Sequence, residues 1–448
     1  VLLLTVLLLL VTVCDGGGEF PATVLTLSRA FPANKTVELD VVKTRDRVRH
    51  ARILQGFTGG VVDFNVFGTS DPYYGGLYYT KVKLGSPPKE FNVQIDTGSD
   101  ILWMPLNFFD AASSPTASMV SCSDRICSSN IKIADASCSD EFDQCSYEFR
   151  YADNSGTSGH YMTDLLHFDT IPPWSSTLQR LSLSAQGITP KVFSHCLLGD
   201  GTGGGKLVLG EIVAPNMVYS PIVPSQAHYN LELQSITVGE QLLSIDASAF
   251  ATSDIQGTIV DTGTTLSYLT AQAYEPFVDA ITAAVSQSAT PISLKDMQCY
   301  ILTSSSSIAT IFPEISLNFA GNAPMIVKPE KYLVQGDPIE GGVPWCIGFQ
   351  KASNGLTVLG DIVLKDKIFV YDLSRNRMGW TDYDCSAEVN VSIKSYNNEY
   401  VDGHLSASIS LRFTSLDVLL TVRKTAFFPS SESISGPLLS KEPAPSRS

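Results

Sequence analysis

Two copies of Asp-Thr-Gly, at 96–98 and 261–263, hold the side chains of this sequence best suited to chemistry. Val93-Gln94-Ile95 leads into Asp96-Thr97-Gly98-Ser99, and Thr258-Ile259-Val260 leads into Asp261-Thr262-Gly263-Thr264. Each carboxylate ends an apolar, strand-like run, on a turn whose glycine can take conformations that other residues avoid. Ser99 and Thr264 place a hydroxyl three residues on, where it could hydrogen-bond the carboxylate. Two such turns facing one another would bring two carboxyl groups together. Like charges that close cannot both ionise, so one proton is shared, with one group as base and the other as acid. That arrangement can hydrolyse an amide with an activated water. A bare Asp-Thr-Gly arises by chance in roughly one chain in ten of this length. Two copies, each with an apolar lead-in and a trailing hydroxyl, are far rarer.

The elements that must position these turns read as strands. Residues 77–84 and 91–95 flank Gly85-Ser86-Pro87-Pro88, a hairpin that delivers Asp96. Tyr229-Asn230-Leu231-Glu232-Leu233 alternates apolar and polar and opens a second run of short strands. The expected fold class is all-β with two similar halves, divided near 219–226, where Pro221 and Pro224 interrupt the pattern. With 448 residues, 44% hydrophobic and 17% charged, the chain has material for two lobes. A formal net charge of −15 disfavours nucleic acid as a partner.

The apolar run VLLLTVLLLLVTV suits the core of a signal peptide, N-terminally incomplete, better than a membrane span. It implies a compartment that permits disulfides. Setting Cys14 aside leaves Cys122, Cys127, Cys138, Cys145, Cys196, Cys299, Cys346 and Cys385, an even number that reads as a disulfide framework. Asn34-Lys35-Thr36 and Asn390-Val391-Ser392 are glycosylation sequons. Residues 1–19 are assigned to the signal, 20–72 to a pro-segment, 73–224 and 225–385 to the two lobes, and 386–448 to a Ser-rich, disordered tail. The basic stretch 37–54 could lie over an acidic cleft. Neither metal nor cofactor is expected: no HExxH motif or GxSxG elbow occurs. Gly199-x-Gly201-x-x-Gly204 matches a dinucleotide fingerprint by letter, but a strand pattern rather than a helix follows it.

Taken together, these residues resemble the pepsin-like aspartic endopeptidases, specifically the plant branch. Ser99-Asp100-Ile101-Leu102-Trp103 is similar to that family's DTGS-x-x-LW segment. Residues 151–159, YADNSGTSG, resemble its flap hairpin, and Val358-Leu359-Gly360-Asp361 followed by Phe369-Val370-Tyr371-Asp372 resembles its second-lobe strands. The resemblance runs from about residue 20 to about 385. It implies a bilobal fold of two related six-stranded, barrel-like lobes with a cleft between them. Asp96 and Asp261 would hold the attacking water, with no covalent intermediate. Ser99 and Thr264 would anchor the outer carboxylate oxygens, and Thr97, Gly98, Thr262 and Gly263 would complete the supporting turns. Tyr151 would close the flap, with Trp103 behind it. A polypeptide substrate would lie extended in the cleft, on a monomer that travels the secretory pathway to the cell exterior, cell wall or vacuole. The tail supports no membrane anchor.

The chain departs from that pattern in its first half. Ala152 and Asn154 stand where the flap usually has glycines. After Trp103, Met104-Pro105-Leu106 runs straight into Asn107-Phe108-Phe109-Asp110, without the plant branch's cysteine-rich insert. Between Phe168 and Leu178 the family supplies a strand, a cysteine and a DGI-x-G-x-G segment, where this chain has Ile171-Pro172-Pro173-Trp174. Such a junction is what skipped coding sequence leaves. The expectations are therefore an aspartic endopeptidase family member and a chain that, as written, folds poorly or is inactive. A protease-fold binder or inhibitor is the alternative.

Overall fold

The computed structural model describes residues 61–70, 78–99, 102–105, 110–124, 127, 135–139, 143–150, 156–171, 191–199, 203–226, 228–253, 256–294, 296–303, 307–353, 355–394, 400–405 and 413–427. All fall in the compact unit Arg49–Ser448. The expected signal, the basic stretch 37–54, Tyr151 with the flap tip 151–155, and the 172–177 junction lie outside the described residues.

Short strands carry most of the chain. Tyr78–Leu84 and Lys89–Gln94 pair antiparallel from Leu84↔Lys89 to Tyr79↔Gln94, forming the hairpin that leads to Asp96. Gly85 starts its turn at φ 85, which a side chain would strain. Gln144–Arg150 and Gly156–Ile171 form a second hairpin, in register from Arg150↔Gly156. Six strands drawn from both halves of the sequence then lie side by side: Val218–Pro221, Arg377–Asp382, Lys367–Asp372, Val192–Leu197, Gly205–Leu209 and Val61–Gly68. Lys367–Asp372 is buried along its whole length, as the apolar run Ile368-Phe369-Val370-Tyr371 requires. Its charged ends are paired, Lys367 with Asp382 and Asp372 with Arg375 and Arg377. Val61–Gly68, within the stretch assigned to a pro-segment, is a sheet strand bonded to Gly205–Leu209 and Tyr78–Leu84.

Among the described residues the two halves differ in their cores. The second has one continuous core, including Leu231, Val260, Phe277, Phe319, Leu359 and Trp380. Its helix Ala271–Val285 adds Ala273, Phe277, Ala280, Ile281 and Val285, the spacing of a single helical face. The first half has small separate clusters, around Leu84 and Met162, around Tyr147 and Tyr161, and around Tyr78 and Leu197.

The disordered tail expected from 386 onward needs correction. Val389–Lys394 pairs with Glu211–Val213 and with Tyr400–Leu405, and Val389 and Val391 are buried beside Cys385. Val389-Asn390-Val391-Ser392-Ile393 alternates with the two-residue period of a strand, which the average Ser content of the tail concealed. Further on, Phe413–Phe427 runs antiparallel to Gly156–Ile171 and parallel to Trp103–Pro105. All eight framework cysteines are bridged: Cys122–Cys138, Cys127–Cys145, Cys196–Cys385 and Cys299–Cys346. The Gly203 to Gly205 segment, all at positive φ, turns Val192–Leu197 into Gly205–Leu209. Among the described residues no helix is long and apolar enough to cross a membrane.

Candidate active site

Strand Gln256–Val260 is buried from Gly257 on and runs parallel to Gly355–Leu359. The Asp261 N–H donates to Leu359 O at 2.9 Å. Just beyond, Asp361 N–H bonds Thr264 O at 2.7 Å and Gly360 N–H bonds Ser267 Oγ at 3.1 Å, so Asp261 is held from both sides of its turn. A Cβ on Gly360 would lie 2.2 Å from Leu266 O, a backbone atom that cannot yield. Asp96 follows Lys89–Gln94, where Ile95 N–H bonds Tyr78 O at 3.0 Å. Among the described residues no strand runs parallel beside Lys89–Gln94.

Despite that difference the two turns meet with near two-fold symmetry. Thr97 N–H donates to Thr262 Oγ1 and Thr262 N–H to Thr97 Oγ1, each at 3.1 Å. Thr97 Oγ1 donates to Val260 O and Thr262 Oγ1 to Ile95 O, each at 2.9 Å. The two threonines therefore lock turn to turn rather than bonding the carboxylates directly. Gly98 N–H donates to Asp96 Oδ1 at 2.8 Å, and Gly263 N–H to Asp261 Oδ1 at 2.7 Å. Ser99 Oγ and Thr264 Oγ1 each donate to the Oδ2 of their own Asp at 2.5 Å. Both glycines are needed for a reason other than the conformational freedom expected from sequence, since neither sits at positive φ. A Cβ on Gly98 would lie 2.5 Å from Asp261 Cγ, and one on Gly263 would lie 2.5 Å from Asp96 Oδ1. Each turn presses against the opposite carboxylate.

Burial, and then the charge of Asp96, push the Asp261 carboxyl up to about 6, against the Thr264 and Gly263 hydrogen bonds that favour its charged form. Behind it lies a third carboxyl. Asp361 is 3% exposed and neither of its oxygens has a hydrogen-bond partner. Burial first, and then Asp261, raise it well above the usual carboxylate range. Sequence reasoning quoted Asp361 only as part of a strand motif. Its position directly after Gly360 and within reach of a dyad was the available signal. Trp103 sits part-buried in Trp103–Pro105, and Tyr151 lies outside the described residues.

Comparison with known proteins follows the same lines. Residues 78–182 and 228–382 match family models described as xylanase inhibitor N-terminal and C-terminal. Aspartic proteinase 36 of Arabidopsis thaliana is 32% identical over 422 residues, covering 80% of this chain and 83% of the relative. The chain belongs to the plant pepsin-like aspartic proteinase family. A second member of that family, aspartic proteinase 39 of Arabidopsis thaliana, is 32% identical over 455 residues, with 87% and 90% covered. Solved structures share the pepsin-like fold at lower identity. The edgp crystal structure has a TM-score of 0.60 at 18% identity, covering 74% of this chain and 96% of its own. Basic 7S globulin from soybean has 0.58 at 19%, covering 72% and 97%.

Proposed function

We propose that this aspartic proteinase family member is an acid endopeptidase that hydrolyses peptide bonds with a water activated by Asp96 and Asp261. The observation that carries the reading is the reciprocal lock of the two turns, which aims two carboxyls at one point while burial keeps a proton on Asp261. In pepsin-like enzymes generally such a pair shares one proton. With water between them, Asp96 removes a proton as the oxygen attacks the scissile carbonyl carbon, and Asp261 gives its proton to the carbonyl oxygen. The tetrahedral diol then collapses. Asp96 returns its proton to the leaving nitrogen and Asp261 recovers one from the diol hydroxyl, so acid and amine leave with no acyl-enzyme. Substrate lies extended, with side chains alternating between pockets, on a monomer of the secretory pathway.

The test is hydrolysis of a denatured protein against pH. Activity should fall as pH rises through about 6, where Asp261 gives up its proton, and pepstatin should block it. Asp96→Asn or Asp261→Asn should each remove nearly all turnover while leaving the fold intact. Near wild-type cleavage by either variant would refute the two-carboxylate reading. One observation favours a second reading, a protein-binding member without turnover: Asp96 has no described parallel strand beside its lead-in, whereas Asp261 has one. A folded wild type that binds pepstatin but never cleaves would support it.

A further inference from the structure

The first catalytic turn has a support that the second lacks. Thr97 Oγ1 commits its own proton to Val260 O and accepts Thr262 N–H, as described above. It also accepts a third contact, from Tyr371 Oη at 3.4 Å. Thr262 Oγ1 has only the first two counterparts among its described contacts. Tyr371 Oη, having spent its proton on Thr97, can receive only a donor on its other side, and His195 Nε2 lies there at 3.3 Å. The imidazole must therefore carry its proton on Nε2, which leaves Nδ1 as a bare lone pair. Nδ1 is indeed buried without a partner. Proton direction is fixed at every step, from His195 to Tyr371 to Thr97 to the Val260 carbonyl.

Packing holds both rings where this requires. Val192–Leu197 and Lys367–Asp372 pair with His195 opposite Phe369 and Phe193 opposite Tyr371. Tyr371 stacks on Phe193 with centroids 4.2 Å apart and meets the edge of Tyr229 at 5.2 Å. His195 stacks on Phe369 at 5.3 Å. Both are fully buried. The titratable groups that act on Tyr371 are Tyr229, Asp261 and Asp361. We infer that His195 and Tyr371 are positioning residues for the reaction, a one-way hydrogen-bond relay from the central sheet that fixes Thr97, and through it the turn carrying Asp96. Among the described residues no parallel strand lies beside the lead-in to Asp96, and the relay serves in that place: Asp261 is held by Gly355–Leu359, and the Asp96 turn is held from the central sheet. A histidine suits this place in an acid-working protein only if it stays neutral, and burial lowers it to about 3.

This inference rests on the protease reading, so its test carries a readout independent of turnover. Tyr371→Phe and His195→Phe each break the relay while keeping an aromatic ring in place. Expected is a fall in kcat of about tenfold with KM changed less than about twofold, the signature of a displaced group rather than a lost binding contact. His195→Gln, which restores a donor, should recover part of the loss. Unchanged kcat in both Phe variants, or a loss that Gln does not relieve, would overturn the relay. If the wild type proves inactive, nitrogen NMR of labelled histidine decides instead, in the pepstatin-free protein, with the His195 signal assigned by its absence in His195→Gln. An Nε2-protonated neutral ring down to about pH 4, perturbed by Tyr371→Phe, supports the relay. An Nδ1-protonated ring, or a signal indifferent to Tyr371→Phe, overturns it. Failure of the wild type to cleave would thus refute the enzyme reading and the positioning role with it, while the histidine signal still decides separately whether the relay to Thr97 exists.

Discussion

Gly263→Ala should separate catalysis from folding. The added Cβ would sit 2.5 Å from Asp96 Oδ1 and 2.6 Å from its Cγ, whereas ordinary contact begins at 3.4 Å. Because Gly263 is not at positive φ, the backbone accepts alanine and the burden falls on the opposing carboxylate. Asp96 must retreat by about 1 Å, and a displacement of that size in a positioned group costs about a hundredfold in rate, or ~3 kcal/mol of barrier. Retreat also weakens the field of Asp96 at Asp261, which is the second cause of its raised pKa. The surviving activity should therefore fail at a lower pH than in the wild type. The fold should change little, since a side chain can move where a backbone cannot. Gly360→Ala supplies the contrast: its Cβ would meet Leu266 O at 2.2 Å and Thr264 O at 2.5 Å, both backbone, and that variant should lose its cooperative melt. The assay is kcat/KM against pH together with thermal unfolding, followed by circular dichroism. Gly263→Ala keeping more than a tenth of wild-type activity, or melting as poorly as Gly360→Ala, would refute the close-approach reasoning.

Two further outcomes concern stability and pH. His195 has a folded pKa depressed from 6.5 to about 3, so the stability it leaves intact above pH 6.5 is lost as pH falls toward 3, at up to about 1.4 kcal/mol per pH unit. Urea unfolding of Asp96→Asn protein, which cannot digest itself, should show this slope relative to the same protein with His195→Phe; parallel curves would contradict it. Asp361 has the opposite sign. Its raised pKa makes its contribution complete below the unfolded value of 3.8 and lost as pH rises, so Asp361→Asn should gain on the wild type in melting temperature between pH 4 and pH 7. A constant difference across that range would show that Asp361 is ionised in the folded protein.

Much of the site is local and was therefore legible. Asp96, Asp261, Ser99 and Thr264 announce themselves because a carboxylate and the hydroxyl that serves it are three residues apart in one turn. The Gly85 hairpin was equally readable, since turn chemistry is written in adjacent residues. What escaped depends on partners far along the chain. Thr97 and Thr262 meet across 165 positions, and Tyr371 reaches Thr97 across 274. No spacing rule connects such pairs. Gly98 and Gly263 serve a close approach rather than a special φ, and a turn's own φ can be guessed locally while an approaching carboxylate cannot. Val389–Lys394 was missed because a five-residue alternation disappears when sixty residues are averaged as a tail.

The bridge between Cys196 and Cys385 spans 189 residues and encloses nearly all of the second half, Asp261 included, in one covalent ring. A peptide bond broken anywhere inside that ring leaves both pieces attached. Nicks in this half therefore become invisible to size: the molecule keeps its full mass until the cystine is reduced. Cuts outside the ring have no such concealment unless they fall between Cys122 and Cys145, where two short bridges hold the pieces together in the same way. Gel mobility with and without reductant, read with the fragment sizes after reduction, therefore maps which ring has been cut, and a nicked second half stays joined beside His195 and Tyr371, whose strands lie next to one another at the bridge.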